Sequence, residues 1–284
     1  MTKFRGCIDI HGGQVKQIVG GTLAQDDNDN VYLQQEDASK ETLRENFVST
    51  KPSSYYAQMY KSNNLHGCHV IKLGSNPAND EAARLACQTW PGNLQIGGGI
   101  NLDNALEWIE AGASHVILTS WLFSKQDGSD KMELDFEKLS TINKKVGKHH
   151  LVVDLSCRTI IEEDGTISWY VAMNKWQTIT AEKLSKDFLA RVSSYCDEIL
   201  IHAADVEGLC KGIDQNLVQS LGHWCPPGME NKIVYAGGAK SKEDLQLVKN
   251  LSHGKIDLTY GSALDIFGGN LVKFDDLVKW NKEN

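Results

Sequence analysis

Two aspartates close short apolar runs about half a chain apart: Cys7-Ile8-Asp9 near the start and Val152-Val153-Asp154 past the middle. A carboxylate at the polar end of a buried strand caps a helix, accepts a structural hydrogen bond, or works as an acid or base. Two of them facing one site can divide the labour, one taking a proton and the other giving one, if their surroundings push their pKa values apart. Small-residue clusters recur at a similar spacing: Gly97-Gly98-Gly99 precedes Thr119-Ser120, and Ala236-Gly237-Gly238-Ala239 precedes Gly261-Ser262. One glycine triplet alone reads as a tight turn. Four such turns in corresponding order offer backbone N–H groups that phosphate oxygens can approach closely. The pattern predicts one phosphate cradle at Gly98, Gly99, Thr119 and Ser120 and a second at Gly237, Gly238, Gly261 and Ser262, and hence a small substrate phosphorylated at both ends.

His69, which opens an apolar run, and His202, which closes one, are secondary candidates for substrate binding, each equally readable as a hydrogen-bonded structural histidine. Glu207-Gly208 either binds hydroxyls or caps a turn, and Trp176 either stacks on a flat ring or packs within a hairpin. The nucleophile elbow G-x-S-x-G, the zinc-protease H-E-x-x-H, the Walker loop and the dinucleotide fingerprint do not occur, so the corresponding hydrolytic and hydride-transfer chemistries have no motif behind them. His66-Gly67-Cys68-His69 reads as a turn feeding a strand rather than as a metal site.

Positioning these residues requires a scaffold of alternating elements. Apolar, β-branched runs at 6–10, 69–73, 94–96, 115–119, 150–154, 199–202, 232–235 and 256–260 predict eight strands. Helix-like patterns at 80–90, 102–111, 134–145, 181–195, 214–221 and 241–251 fall between them. Such alternation in 284 residues fits a closed α/β barrel, the (β/α)8 or TIM barrel, better than an open doubly wound sheet. The paired aspartates and turns predict an internal half-barrel duplication, one domain over 1–284 with halves of about 1–145 and 146–284. Every candidate then falls at strand ends on the face where barrel sites form. Two long connections leave that face, 20–53 and 156–178, and both are expected to act as lids.

Composition narrows the class. The formal charge of −8 and the lack of a basic block exclude the electrostatic footprint of nucleic-acid binding, so an anionic ligand must be held by local dipoles. No run approaches the length of a membrane span, and no signal-peptide core follows Met1. Seven cysteines without a C-x-x-C pair fit reduced thiols, and a cytoplasmic location is expected.

At Cys7-Ile8-Asp9-Ile10, 149–154 (HHLVVD), Gly97-Gly98-Gly99-Ile100 and Gly237-Gly238, the sequence resembles the phosphoribosylformimino-aminoimidazole carboxamide ribotide isomerases of histidine biosynthesis. The resemblance covers nearly the whole chain. Ser120-Trp121-Leu122-Phe123, 173–177 (MNKWQ), 202–208 (HAADVEG) and 265–270 (DIFGGN) resemble the fungal branch in particular. It implies a duplicated (β/α)8 barrel that converts an aminoaldose into an aminoketose by an Amadori rearrangement, without metal or cofactor. It further implies Asp154 as the acid that opens the ribose ring and Asp9 as the base that removes the C2′ proton. The chain departs from the bacterial pattern in the sixth unit, where His202-Ala203 and Glu207-Gly208 replace a Thr-Asp pair and an Asp-Gly. It departs again at the end of the second strand, which reads Lys72-Leu73-Gly74. The alternatives are the sister cyclase, which uses ammonia, and a non-catalytic barrel that senses a phosphometabolite. A monomer acting on a bis-phosphorylated small molecule, with no nucleic-acid or membrane partner, is the expectation.

Overall fold

In the computed structural model, which describes residues 1–18, 45–125 and 131–284, the eight apolar runs form eight parallel strands. They are β1 (Phe4–His11), β2 (Cys68–Lys72), β3 (Leu94–Gly97), β4 (His115–Leu118), β5 (Leu151–Asp154), β6 (Glu198–His202), β7 (Ile233–Ala236) and β8 (Ile256–Tyr260). Each pairs with its sequence neighbours, and β8 returns to pair with β1 through Phe4↔Leu258 and Gly6↔Tyr260, so the sheet closes.

A helix follows every strand: α1 (Ser53–Ser62), α2 (Pro77–Thr89), α3 (Ala105–Glu110), α4 (Phe136–Val146), α5 (Lys186–Ser193), α6 (Gln215–Trp224), α7 (Glu243–Leu251) and α8 (Phe274–Glu283). The sequence names the starts of several. Asn76, Asp135, Ser185 and Asp214 each accept a hydrogen bond from the first-turn N–H groups of the helix they precede, satisfying donors that have no intrahelical partner. At the chain's end α8 ties back to β1, where Asn281 accepts from Phe4 N and donates to Phe4 O.

Because successive side chains on a strand point to opposite faces, the strands build two cores. Outward residues such as Ile8, Ile10, Val70, Ile96, Val153, Ile199, Ile201 and Leu258 are buried under the helices. Inside the barrel a separate layer of Ile117, Val152, Leu200, Val234 and Ala236, with Ile71 against it, fills the axis. The residue two positions beyond each member of this layer stands at the mouth. Thr119, Asp154 and His202 stand there, two residues beyond Ile117, Val152 and Leu200 on their strands.

Two expectations are corrected. Residues 181–183 do not begin a helix: Thr178–Lys183 is the third strand of an antiparallel sheet with Cys157–Ile161 and Ile167–Met173, and α5 starts only at Lys186. The excursion predicted as a hairpin over 156–178 is thus three-stranded, because Thr178, Ile179 and Thr180 are β-formers with a strand edge to pair with. Helices α1 and α8 were also absent from the sequence reading. Of the predicted lid over 20–53, residues 20–44 lie outside the described residues, and Glu45–Val48 pairs antiparallel with Gln14–Ile18, extending β1.

Candidate active site

The strand ends surround a cavity of about 600 Å3, a size suited to a small molecule. Asp9 stands at its floor on β1, in register with Ile71 of the adjacent β2. Asp154 stands on β5, in register with Leu200 of β6. Three strands separate β1 from β5 in either direction around the closed sheet, so the two carboxylates face each other across the axis.

Their surroundings differ. Burial pushes Asp9 up to about 7, and the negative charge of Glu207 adds to that push, while His202, the Cys7 thiol and Gln17 act against it. Gln17 Nε2 donates to Asp9 Oδ2 at 3.0 Å, and Cys7 Sγ lies 3.7 Å from the same oxygen. Burial likewise raises Asp154, against the charge of His202 and a hydrogen bond from Ser156 Oγ to Oδ1 at 3.0 Å. A carboxyl group that titrates near neutrality is matched to proton transfer at physiological pH.

His202 Nε2 lies 2.8 Å from Glu207 Oε2. The contact is an ion pair lying off the axis of the ring N–H, which is left without an aligned acceptor. Burial opposes a charge on this ring, but Glu207, Asp154 and Asp9 outweigh it and bring the imidazole up to about 9. Trp176 meets the His202 ring edge-on, 4.9 Å between centroids. It belongs to a run of three non-glycine residues, Asn174, Lys175 and Trp176, all with positive φ between 52° and 65°. That conformation is uncommon outside glycine and costs energy at each position.

The small-residue turns all reach the mouth: Gly98, Thr119, Ser120, Gly237, Gly238, Gly261 and Ser262 line the cavity. Gly99 does not; it is exposed one residue beyond. Packing alone already demands some of these glycines. A Cβ at Gly98, where φ is +90°, would overlap the Lys72 carbonyl oxygen, and one at Gly237 would sit 2.8 Å from the Ala203 carbonyl oxygen. Ser262 Oγ is tied to Asn46 Nδ2 at 3.2 Å, and Ser120 Oγ accepts from Asn174 N at 3.1 Å. The excursion therefore bonds directly to one of the predicted cradles.

His69 lines the lower cavity, but it is almost fully buried and its nearest charged partner is Glu198, at 3.8 Å, in the barrel floor. Arg5 anchors that floor, with Nε 2.8 Å from Asp257 and Nη2 3.7 Å from Glu198. Sequence reading passed over Gln17, Ser156 and Cys7 as neighbours of the aspartates. The available signal was the i, i+2 spacing of Cys7 to Asp9 and of Asp154 to Ser156. Lys72, noted only as a departure, also lines the cavity, where Asp80 at 2.6 Å and the Trp108 ring at 4.3 Å hold its ammonium.

A closed barrel with two opposed, raised-pKa carboxylates at its mouth defines a (β/α)8 enzyme of the acid–base class. The chain belongs to the histidine biosynthesis protein family, whose pattern it matches over residues 5–271. It is 70% identical to the 1-(5-phosphoribosyl)-5-((5-phosphoribosylamino)methylideneamino)imidazole-4-carboxamide isomerase of Candida albicans, covering 100% of this chain and 99% of that one. The isomerase of the same name from Saccharomyces cerevisiae is 54% identical over 100% of this chain and 99% of its own. A chloroplastic one from Medicago truncatula is 41% identical over 99% of this chain and 82% of its own.

Proposed function

We propose that this chain is the aldose–ketose isomerase of histidine biosynthesis, converting the bis-phosphoribosyl aminoaldose named in its relatives into the phosphoribulosyl aminoketose by an Amadori rearrangement. Full-length identity of 70% to an isomerase of that name supports the reaction. The observation that carries the mechanism is the placement of Asp9 and Asp154 on opposite strands of one mouth, both with raised pKa values.

In the forward direction Asp154, protonated, gives its proton to the ribose ring oxygen; the ring C–O bond breaks and the amine nitrogen lone pair forms the C=N bond of a Schiff base. Asp9, ionised, removes the C2′ proton. The electrons of that C–H bond form the C1′=C2′ double bond of an enolamine, which tautomerises to the ketone. A base poised near neutrality takes a weakly acidic proton without being permanently protonated itself. The Gly98/Thr119/Ser120 and Gly237/Gly238/Gly261/Ser262 turns hold the two phosphates, and fixing a long substrate at both ends supplies orientation. Trp176 and His202 close the side wall.

Seven unpaired cysteines, five of them buried, support a reducing compartment, the cytoplasm.

The test is an assay of purified protein with the aminoaldose, without ammonia, metal or nucleotide, followed by mass and absorbance. An isomer of identical mass, lost in Asp9→Asn and Asp154→Asn, is expected. If no isomer forms, ammonia is added: an imidazole product would then transfer the chain to the cyclase reading, and tight binding without conversion would leave a sensor.

A further inference from the structure

Three carboxylates crowd the mouth: Asp9 on β1, Asp154 on β5, and Glu207 on the segment after β6. A substrate with a phosphate at each end adds more negative charge, in a chain whose formal charge is already −8. Like charges in a recessed site favour protonation, and a protonated Asp9 cannot act as a base. Something positive must stand against them.

Lys72 is committed to Asp80, at 2.6 Å. His202 is the cation that the carboxylates themselves face. Its ring is fixed by Glu207 at 2.8 Å and by the edge-on Trp176 ring, 4.9 Å away, which is itself carried on a turn of three left-handed residues. The charged groups facing it are Glu207 from its own connecting segment, Asp154 from β5 and Asp9 from β1; the excursion brings the uncharged Trp176 ring and, beside it, Lys175, which also lines the cavity. Leu200 is the register partner of Asp154, so His202 stands two residues further along β6 toward the mouth, on the same inward face.

We propose that His202 is a positioning residue for the isomerisation: clamped by Glu207 and Trp176, it stays an imidazolium throughout the cycle and supplies the fixed positive charge that keeps Asp9 ionised. The inference rests on the proposed acid–base roles of the two aspartates. His202 neither gives nor takes a proton. Glu207 holds the imidazolium, and the imidazolium in turn lowers both aspartates. This assigns a joint task to the two sixth-unit residues, His202 and Glu207, at which the chain departs from the bacterial pattern.

The experiment is a pH profile of kcat/KM for His202→Gln beside a histidine-ring NMR titration of the unmodified protein and of Glu207→Gln. In His202→Gln the acidic limb should move to higher pH by about one unit, the usual scale for losing a nearby opposite charge. Turnover well above the limb should be far less affected. In the unmodified protein the His202 ring should remain protonated through pH 7 and titrate at lower pH in Glu207→Gln. A limb that stays in place, or a ring that is neutral at pH 7, overturns the proposal, and the second measurement stands even if His202→Gln fails to fold. Failure of the underlying reading looks different: the unmodified enzyme makes no isomer, or Asp9→Asn turns over near normally.

Discussion

Gln17 donates its side-chain amide to Asp9 at 3.0 Å from a strand, Gln14–Ile18, that folds straight back on β1. Gln17 is itself almost fully buried, and its other amide atom, Oε1, accepts from Ser262 Oγ at 3.4 Å. One side chain therefore links the carboxylate on β1 to a small-residue turn after β8, fixing the rotamer of the acid relative to a predicted phosphate cradle. A donor to the ionised form also lowers the pKa, against the burial that raises it.

Gln17→Leu removes that donor while keeping similar bulk. Asp9, already near 7, should then ionise at still higher pH, because the hydrogen bond favoured the charged form. A hydrogen bond to a charged group contributes roughly 1.5–3 kcal/mol, so the acidic limb of kcat/KM should rise by about one to two pH units. At pH 6 that is at least about a tenfold loss. A pH–rate profile checks it, and an unmoved limb would show that Gln17 only fills space.

Asp9→Asn should abolish turnover yet stabilise the protein at neutral pH. Loss of a general base costs typically 10²–10⁴-fold. For stability, Asp9 has a folded pKa of about 7, above the ordinary value of 3.8 that it regains on unfolding. Between those values the folded state binds the extra proton, so raising the pH through this window lowers stability. The amide has no such penalty. Melting curves should show Asp9→Asn above the unmodified protein at pH 8, with the gap closing toward pH 4. A gap independent of pH would contradict the raised pKa.

The barrel was legible because buried parallel strands read as short β-branched runs, and all eight appear within one or two residues of where those runs lie. The aspartates and turns were legible for the same reason: on a parallel strand the C-terminal end is the mouth. Partners were not. Gln17 reaches Asp9 through the register of a strand-back pairing, and His202 meets Glu207 only once the segment after β6 has turned. α1 starts at Ser53-Ser54 after Pro52, residues that read as loop, and no side chain caps it. Arg5, Glu198 and Asp257 lie at inward positions of β1, β6 and β8, where a charged residue in a strand reads as an end rather than as a floor.

Gly98→Ala should be costly out of proportion to one methyl group. Its Cβ would overlap the Lys72 carbonyl oxygen with φ at +90°, and backbone cannot give way as a side-chain tip can. Gly165, at the tip of the excursion hairpin, has φ of +82° but open space around it. The pair separates strain from overlap. Gly165→Ala should cost about 1–2 kcal/mol, the left-handed penalty alone. Gly98→Ala should cost clearly more and also raise KM, because it displaces the end of β2 beside the cavity. Equal costs in chemical denaturation would show that the β2–β3 approach is looser than described.

The barrel floor should be the least forgiving place to remove a charge. Arg5 is held by Asp257 at 2.8 Å and Glu198 at 3.7 Å and donates to the carbonyls of His66 and Asn231. Glu198 and Asp257 are almost entirely buried. Arg5→Met fills much of the volume but leaves two carboxylates without their cation. Breaking a buried ion pair from one side costs roughly 3–5 kcal/mol. At about 2–4 °C per kcal/mol for a domain of this size, Tm should fall by about 10 °C. Because this layer lies beneath the apolar one that separates it from Asp154 and His202, kcat measured well below the new Tm should change little. A fall in kcat with Tm preserved would mean that the floor acts on the site electrostatically rather than through stability.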